Sequence, residues 1–303
     1  KMMEKELSNL SIKRKEKDYI TNVLKTSREV SGYLEPKEVE NPVFTGRYQR
    51  DGYAIEKYFV KGEGDYVFPY LLVIPQKVNG KAVIYLNSEA KSEGLVSNEA
   101  KWLVQNGFTV LLPDLLGIGE LGKGSYKGDS FIDSVSYGLW FFSVLTGRSI
   151  VGIQAGDINR LVHILKKNHQ LQEIYGFGEG AVSSSLIYAA SYNKDIKRIM
   201  LLKPLSSYQS IVMSRIYDAK YITESVPGAL KSYDLPDLLG SCAPRKLTIV
   251  NPQSGASDEN GFNSVGEDMS IIRYFYEKNH SKKDLSIIEN NPDDMGKILT
   301  EWS

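Results

Sequence analysis

The chain has 303 residues, a length that one α/β core can absorb. Its 37 Lys plus Arg offset 37 Asp plus Glu, so it lacks the basic excess of a nucleic-acid binder or a polybasic membrane-surface protein. No run of eighteen apolar residues occurs, and the one cysteine, Cys242, excludes an internal disulfide framework and a cysteine-built zinc site.

Residues 1–30 are charge-dense and lack Gly and Pro. Leu7, Leu10, Ile20, Val23 and Leu24 recur at helical spacing, which predicts a surface helix in an N-terminal extension or linker over 1–35. Tyr53–Val60 and Tyr66–Ile74 are rich in β-branched and aromatic residues around a glycine-containing loop, as in an antiparallel hairpin. The rhythm then alternates. Ala82–Leu86, Phe108–Leu112, Glu173–Phe177, Ile196–Lys203, Leu247–Asn251 and Leu285–Glu289 read as strands. Ser97–Asn106, Ser134–Leu145, Gly156–Lys167, Gly180–Tyr192, Asp268–Lys278 and Met295–Trp302 read as helices. Short apolar strands separated by helices predict a mostly parallel sheet, covered on both faces. The forty residues from Pro204 to Pro244 interrupt the alternation. As an insertion they are expected to cap the carboxyl edge of the sheet, where ligands bind in open α/β folds. Over 36–303 this is one domain.

The most informative segment is Ile174-Tyr175-Gly176-Phe177-Gly178-Glu179-Gly180-Ala181. A strand, a glycine turn and a helix of small residues form the frame of a nucleophile elbow, G-x-S-x-G. With Gly176 and Gly180 as the flanks, Gly178 holds the nucleophile position. It has no side chain.

Here the chain resembles the α/β-hydrolase superfamily, and within it the acetyl xylan esterase-like group of carbohydrate esterases, over about residues 40–303. Besides the elbow, Phe108–Gly119 is similar to that group's strand and Asp-x-Arg-Gly-x-Gly loop, with Leu116 where the family has Arg. Gly147–Arg160, Asp234–Leu238, Ala243-Pro244-Arg245 and Asn251-Pro252 carry the rest. The resemblance implies an α/β-hydrolase fold with an insertion before the penultimate strand, and a degenerate site. Asn87, Ser88 and Glu179 fall in its oxyanion region. The acid position, about Gln253–Gly255, carries no acid; Asp258 and Glu259 lie nearby but displaced. The stretch Asn290–Gly296, where the histidine belongs, has none. His163, His169 and His280 are expected at the opposite edge of the sheet, the last two as cations at helix ends.

Two other motifs compete weakly. Gly176-x-Gly178-x-x-Ala181 fits a dinucleotide fingerprint, but the next strand ends in Leu202-Lys203 without the ribose-binding acid. Gly117–Lys123 approaches a phosphate loop but lacks the hydroxyl residue after the lysine. Tyr126, Tyr137, Tyr208, Tyr217, Tyr221 and Tyr233 leave a sugar-stacking cleft open beside the plainer role of half-buried packing. The sequence thus predicts a non-catalytic or very weak relative of acetyl xylan esterases. Its partner would be a carbohydrate or a covalently linked upstream domain, with no cofactor, metal, nucleic acid or membrane. The alternative is an active esterase using non-standard residues. The chain opens on Lys1, so a removed leader, and with it a periplasmic or secreted location, stays open and no compartment is assigned.

Overall fold

Strands buried on both faces must alternate two sets of apolar side chains, and these do. In the computed structural model, Ala82, Ile84 and Leu86 face one core and Val83 and Tyr85 face the other. The structure describes residues 2–122, 124, 127–128, 130–132, 135–168, 171–257, 262–289 and 294–303. The chain runs through α1 (Met2–Lys13), α2 (Tyr19–Ser31), β1 (Val43–Arg50), β2 (Tyr53–Lys61), β3 (Val67–Pro75), β4 (Lys81–Asn87), α3 (Lys91–Val96), α4 (Asn98–Gln105) and β5 (Thr109–Pro113). A small hairpin, β6 (Phe131–Ile132) and β7 (Val135–Ser136), precedes α5 (Tyr137–Leu145) and α6 (Ile150–Lys166). Then come β8 (Glu173–Glu179), α7 (Ser183–Tyr192), β9 (Ile196–Leu202), α8 (Tyr208–Val212), α9 (Leu235–Gly240), β10 (Lys246–Val250), α10 (Val265–Lys278), β11 (Leu285–Ile288) and α11 (Met295–Trp302).

Among the described residues the main sheet has nine strands in the order β1-β2-β3-β5-β4-β8-β9-β10-β11. The first three strands are antiparallel and β3 pairs antiparallel with β5. From β5 to β11 every pairing is parallel. The expected strands are all present. The sequence pattern did not reveal β1, an exposed edge strand without apolar alternation. Helix α6 begins six residues before the expected Gly156, capped by the Ser149 hydroxyl accepting from the Gly152 amide.

The N-terminal extension forms two helices, and it is packed rather than loose. Leu10, Tyr19 and Val23 are buried in the main core with α7, α9 and α10. Between the helices, Arg14 donates to both carboxylate oxygens of the buried Asp237 at 2.8 and 3.0 Å. Asp237 also accepts from the Asp234 amide, completing a capping box at α9. A second anchor ties the β2–β3 loop to α6. Tyr66 donates to the buried Asp157, which also receives Arg160, and Glu63 pairs with Arg148 at 2.6 Å. Burial raises the Asp157 carboxyl to about 7 against the pull of Tyr66 and Arg160.

Removing Arg14 leaves Asp237 buried without its cation. Arg14→Ala is expected to lower the unfolding free energy by about 3 kcal/mol or more, read from guanidinium unfolding at neutral pH. A loss within about 0.5 kcal/mol, the usual range for a surface substitution, would show that the extension is energetically separate from the body.

Candidate functional site

The turn that follows β8 is set by three glycines on alternate positions. Gly176 and Gly178 sit inside the strand, in register with Ile199 and Leu201 of β9. A Cβ at Gly176 would meet Leu186 of α7 at 2.7 Å, and one at Gly178 would meet Leu186 and the Ser183 Cα at 3.2 Å. These two glycines let the helix lie close on the strand. The left-handed residue is Gly180, at φ +69°, where the strand ends and a helical turn begins. The left-handed turn residue therefore falls two residues after Gly178, the position the sequence reading put at the centre of the elbow. The elbow frame is Gly178-Glu179-Gly180-Ala181-Val182, and its central residue, Gly180, again carries no side chain.

The next two strands end alike. Lys203 follows β9 at φ +52° and Asn251 follows β10 at φ +51°. The Lys203 amide donates to the Val250 carbonyl at 2.8 Å and that of Asn251 to the Ile288 carbonyl at 2.9 Å. Asn tolerates this conformation; Lys rarely does.

At this carboxyl edge lies a cavity of about 710 Å³. Asn87, Ser88 and Glu179, the expected oxyanion-region residues, meet there around Gly180. Glu179 accepts from the Tyr85 hydroxyl and the Asn87 amide group, both at 3.1 Å. The Asn87 carbonyl oxygen meanwhile accepts from the Glu89 amide at 2.9 Å. A Cβ on Gly180 would come within 2.7 Å of the Ser88 hydroxyl oxygen. Gln253 supplies the wall where an acid was sought. It donates to the Asn251 carbonyl at 2.7 Å, and its amide is held by the Pro204 carbonyl at 2.8 Å. Asp258, Glu259, His169, Tyr126, Lys123 and positions 290–293 lie outside the described residues.

The other two histidines are far from this edge. His163 is in the last turn of α6, nine residues beyond the cavity-lining Gln154, or about 13 Å along the axis. His280, at φ +55°, lies between α10 and β11 at the amino edge of the sheet. The tyrosines lead away from the cavity as well. Tyr208 and Tyr233 are buried and bond to the Tyr188 hydroxyl at 3.2 and 2.9 Å. No tyrosine lines the cavity among the described residues, and no group of metal-ligating side chains occurs among them.

The insertion does cap the edge, with Lys220, Thr223 and Glu224 in the cavity wall. Sequence patterns did not single out Glu224. Its carboxyl is 2% exposed. One oxygen accepts from Ser184 at the start of α7, and the other has no hydrogen-bond partner among the described residues. Burial pushes its proton affinity well above the ordinary carboxyl range. On the opposite wall Gln154 accepts from Ser185 at 2.5 Å and donates to the Leu116 carbonyl at 2.7 Å. Amides, hydroxyls and one buried acid can together bind a neutral polar molecule in several orientations.

No protein-family model and no curated protein sequence matches the chain. Solved structures do match. A protein from Bacteroides fragilis NCTC 9343 proposed to be an acetyl xylan esterase superposes with a TM-score of 0.71 at 17% identity, over 90% of this chain and 76% of that one. The methylesterase BT1017 gives 0.67 at 13%, over 98% of this chain and 66% of its own. A glucuronoyl esterase from Solibacter usitatus gives 0.61 at 11%, over 93% and 90%. The chain has an α/β-hydrolase fold. In that fold a strand-to-helix turn presents the nucleophile, and the strand-to-helix turn after β8 is here at Gly180. The three neighbours are named for three different esters, so the shared fold leaves the substrate open.

Glu224 makes stability depend on pH. Its folded proton affinity is raised, so its carboxyl ionises first in the unfolded chain, near pH 4.3. Native stability is then lost as pH rises from there to the folded value. Glu224→Gln removes that loss. Its melting temperature should exceed the parent's at pH 8 by a few degrees, about 2–4 °C per kcal/mol, with the gap closing toward pH 4.5. A pH-independent gap would place the effect in packing rather than ionisation.

Proposed function

We propose that this α/β-hydrolase-fold chain is a non-catalytic relative of carbohydrate esterases that binds a polar, sugar-sized ligand at its carboxyl edge. The observation that carries the reading is Gly180 at the strand-to-helix turn, beneath a cavity of about 710 Å³. That volume is in the range of small-molecule sites, about 300–1,000 Å³. Losing a triad's serine or histidine costs roughly 10⁶-fold in turnover, because the triad works as a unit. Here the turn offers no hydroxyl, and the sequence offers no histidine after the last strand. The lining of Asn87, Gln154, Gln253, Glu179 and Glu224 supports hydroxyl recognition. A structural role beside a catalytic neighbour is compatible with the same reading.

One observation favours an active hydrolase instead. Glu179 and Glu224 share the cavity, and two carboxyl groups in unlike surroundings are the usual parts of general acid–base catalysis. Turnover separates the two. With a chromogenic acetyl ester and with acetylated xylan, the parent should show no saturable hydrolysis. Calorimetric titration with xylo-oligosaccharides should show binding without product. Turnover near the ordinary range of about 1–10³ per second would reject the non-catalytic reading.

Gly180→Ser is expected to leave hydrolysis at background. A serine there needs a base within hydrogen-bond reach, and His163 and His280 lie at the other edge. The substitution should also be destabilising, since a left-handed non-glycine residue costs about 1–3 kcal/mol. Ester turnover and the unfolding midpoint of the purified variant measure both. A gain of several orders of magnitude in turnover would reveal a base that this arrangement lacks.

A further inference from the structure

Helix α5 reads Tyr-Gly-Leu-Trp-Phe-Phe-Ser-Val-Leu and contains no charged residue. A helix apolar on all sides is normally buried. Here the one buried residue is Ser143. Phe141, Phe142 and Leu145 are 42%, 65% and 67% exposed, and beside them Ile132 of the β6–β7 hairpin is 43% exposed. These four side chains form an apolar ridge. Trp140, on the same helix, turns into an adjoining groove of about 590 Å³ with Met3, Ile211, Val212, Val226 and Leu230. The Trp140 indole N–H is buried and meets no acceptor among the described residues, an arrangement that costs free energy unless an acceptor is supplied.

We infer that this face is the contact between two copies of this chain, the α5 ridge of each copy seated in the Trp140 groove of the other. Three features select a second copy over another occupant. A twofold contact sets each patch against itself, and α5 brings no like charges together when it does so. Ridge and groove share one helix, so a single twofold axis satisfies both at once. The area also fits. The four ridge residues leave on the order of 400 Å² of apolar surface exposed. A standard interface buries about 800 Å² per partner, a little over half of it apolar. A lipid surface is the weaker occupant, because α5 has no lysine or arginine to meet headgroups.

Sedimentation velocity over about 0.5–50 μM protein, with light scattering for mass, tests this. The parent should run as a dimer in the upper part of that range. Phe142→Glu with Leu145→Glu should raise the dissociation constant at least about 100-fold and give a monomer of unchanged far-ultraviolet circular dichroism. Leu145→Lys alone is the milder variant, to be read if the pair fails to fold. Val96→Glu, at an exposed apolar site on α3, should leave the dimer intact. The parent's Trp fluorescence should change with dilution as Trp140 loses its partner. A parent monomeric at 50 μM overturns the inference, as does a dimer that survives the α5 substitutions. Co-sedimentation of a monomeric parent with vesicles of phosphatidylcholine and phosphatidylglycerol would assign the face to lipid and equally overturn it. None of these readouts depends on whether the carboxyl-edge cavity binds sugar or turns over an ester.

Discussion

The close approach of α7 to β8 sets the geometry on which the cavity depends. Interiors pack near crystal density, so helix and strand come this near only where the side chain between them is removed. At Gly176 a single methyl would already intrude on Leu186. Once α7 is seated, its first turn is fixed as well, and that turn consists of the buried Ser183, Ser184 and Ser185. Ser184 reaches Glu224 of the insertion, and Ser185 reaches Gln154 of α6. Two walls of the cavity are therefore hung from one helix turn. A shift of α7 away from the strand would move both walls and the Gly180 turn together.

The strand ends extend the same constraint sideways. In β8, β9 and β10, three neighbours in the sheet, the chain leaves the carboxyl edge through a left-handed residue. After β9 and β10 the turn residue still donates one more bond to the adjoining chain before the direction changes. Glycine meets that requirement at 180 and asparagine tolerates it at 251. Lys203 meets it only with strain, which persists where the surroundings over-determine the conformation. Its place on the cavity wall makes it the backbone outlier most closely tied to the site.

Much of the sheet was legible in the sequence because buried strands must be apolar and short, and because the helices between them begin and end on recognisable caps. The elbow was legible as a strand, a glycine turn and a helix. Its register was not, because the two-glycine frame is complete only around Gly178, whereas the left-handed residue is Gly180, with Val182 in place of the second flanking glycine. The distinction lies in φ, which a row of glycines does not encode. Glu224 was invisible for a different reason. It sits in an insertion without periodicity, and its role follows from contact with Ser184, forty residues earlier in the chain. Of the insertion's tyrosines, Tyr208 and Tyr233 join a buried hydroxyl network around Tyr188, while Tyr217 is exposed. Helix α5 was read as a helix from its pattern, but no pattern reveals that an uncharged helix stays on the surface.

Electrostatics at the turn bears on the choice between binding and ester chemistry. Ester hydrolysis through a nucleophile builds negative charge on the carbonyl oxygen, and the site must point donors at it. Here the Asn87 side-chain amide, one of the donors lining the cavity, is already given to Glu179. The Glu179 carboxylate sits one residue before the turn and faces the same cavity. A negative charge developing in the cavity would meet this carboxylate, while Lys203 and Lys220 on the same wall would attract it. The same carboxylate suits a sugar hydroxyl, which donates to it and brings no charge. Glu224, whose proton affinity burial raises, lines the same cavity. On the proposed reading these groups receive a neutral polyol, and the missing side chain at Gly180 leaves the turn without a nucleophile.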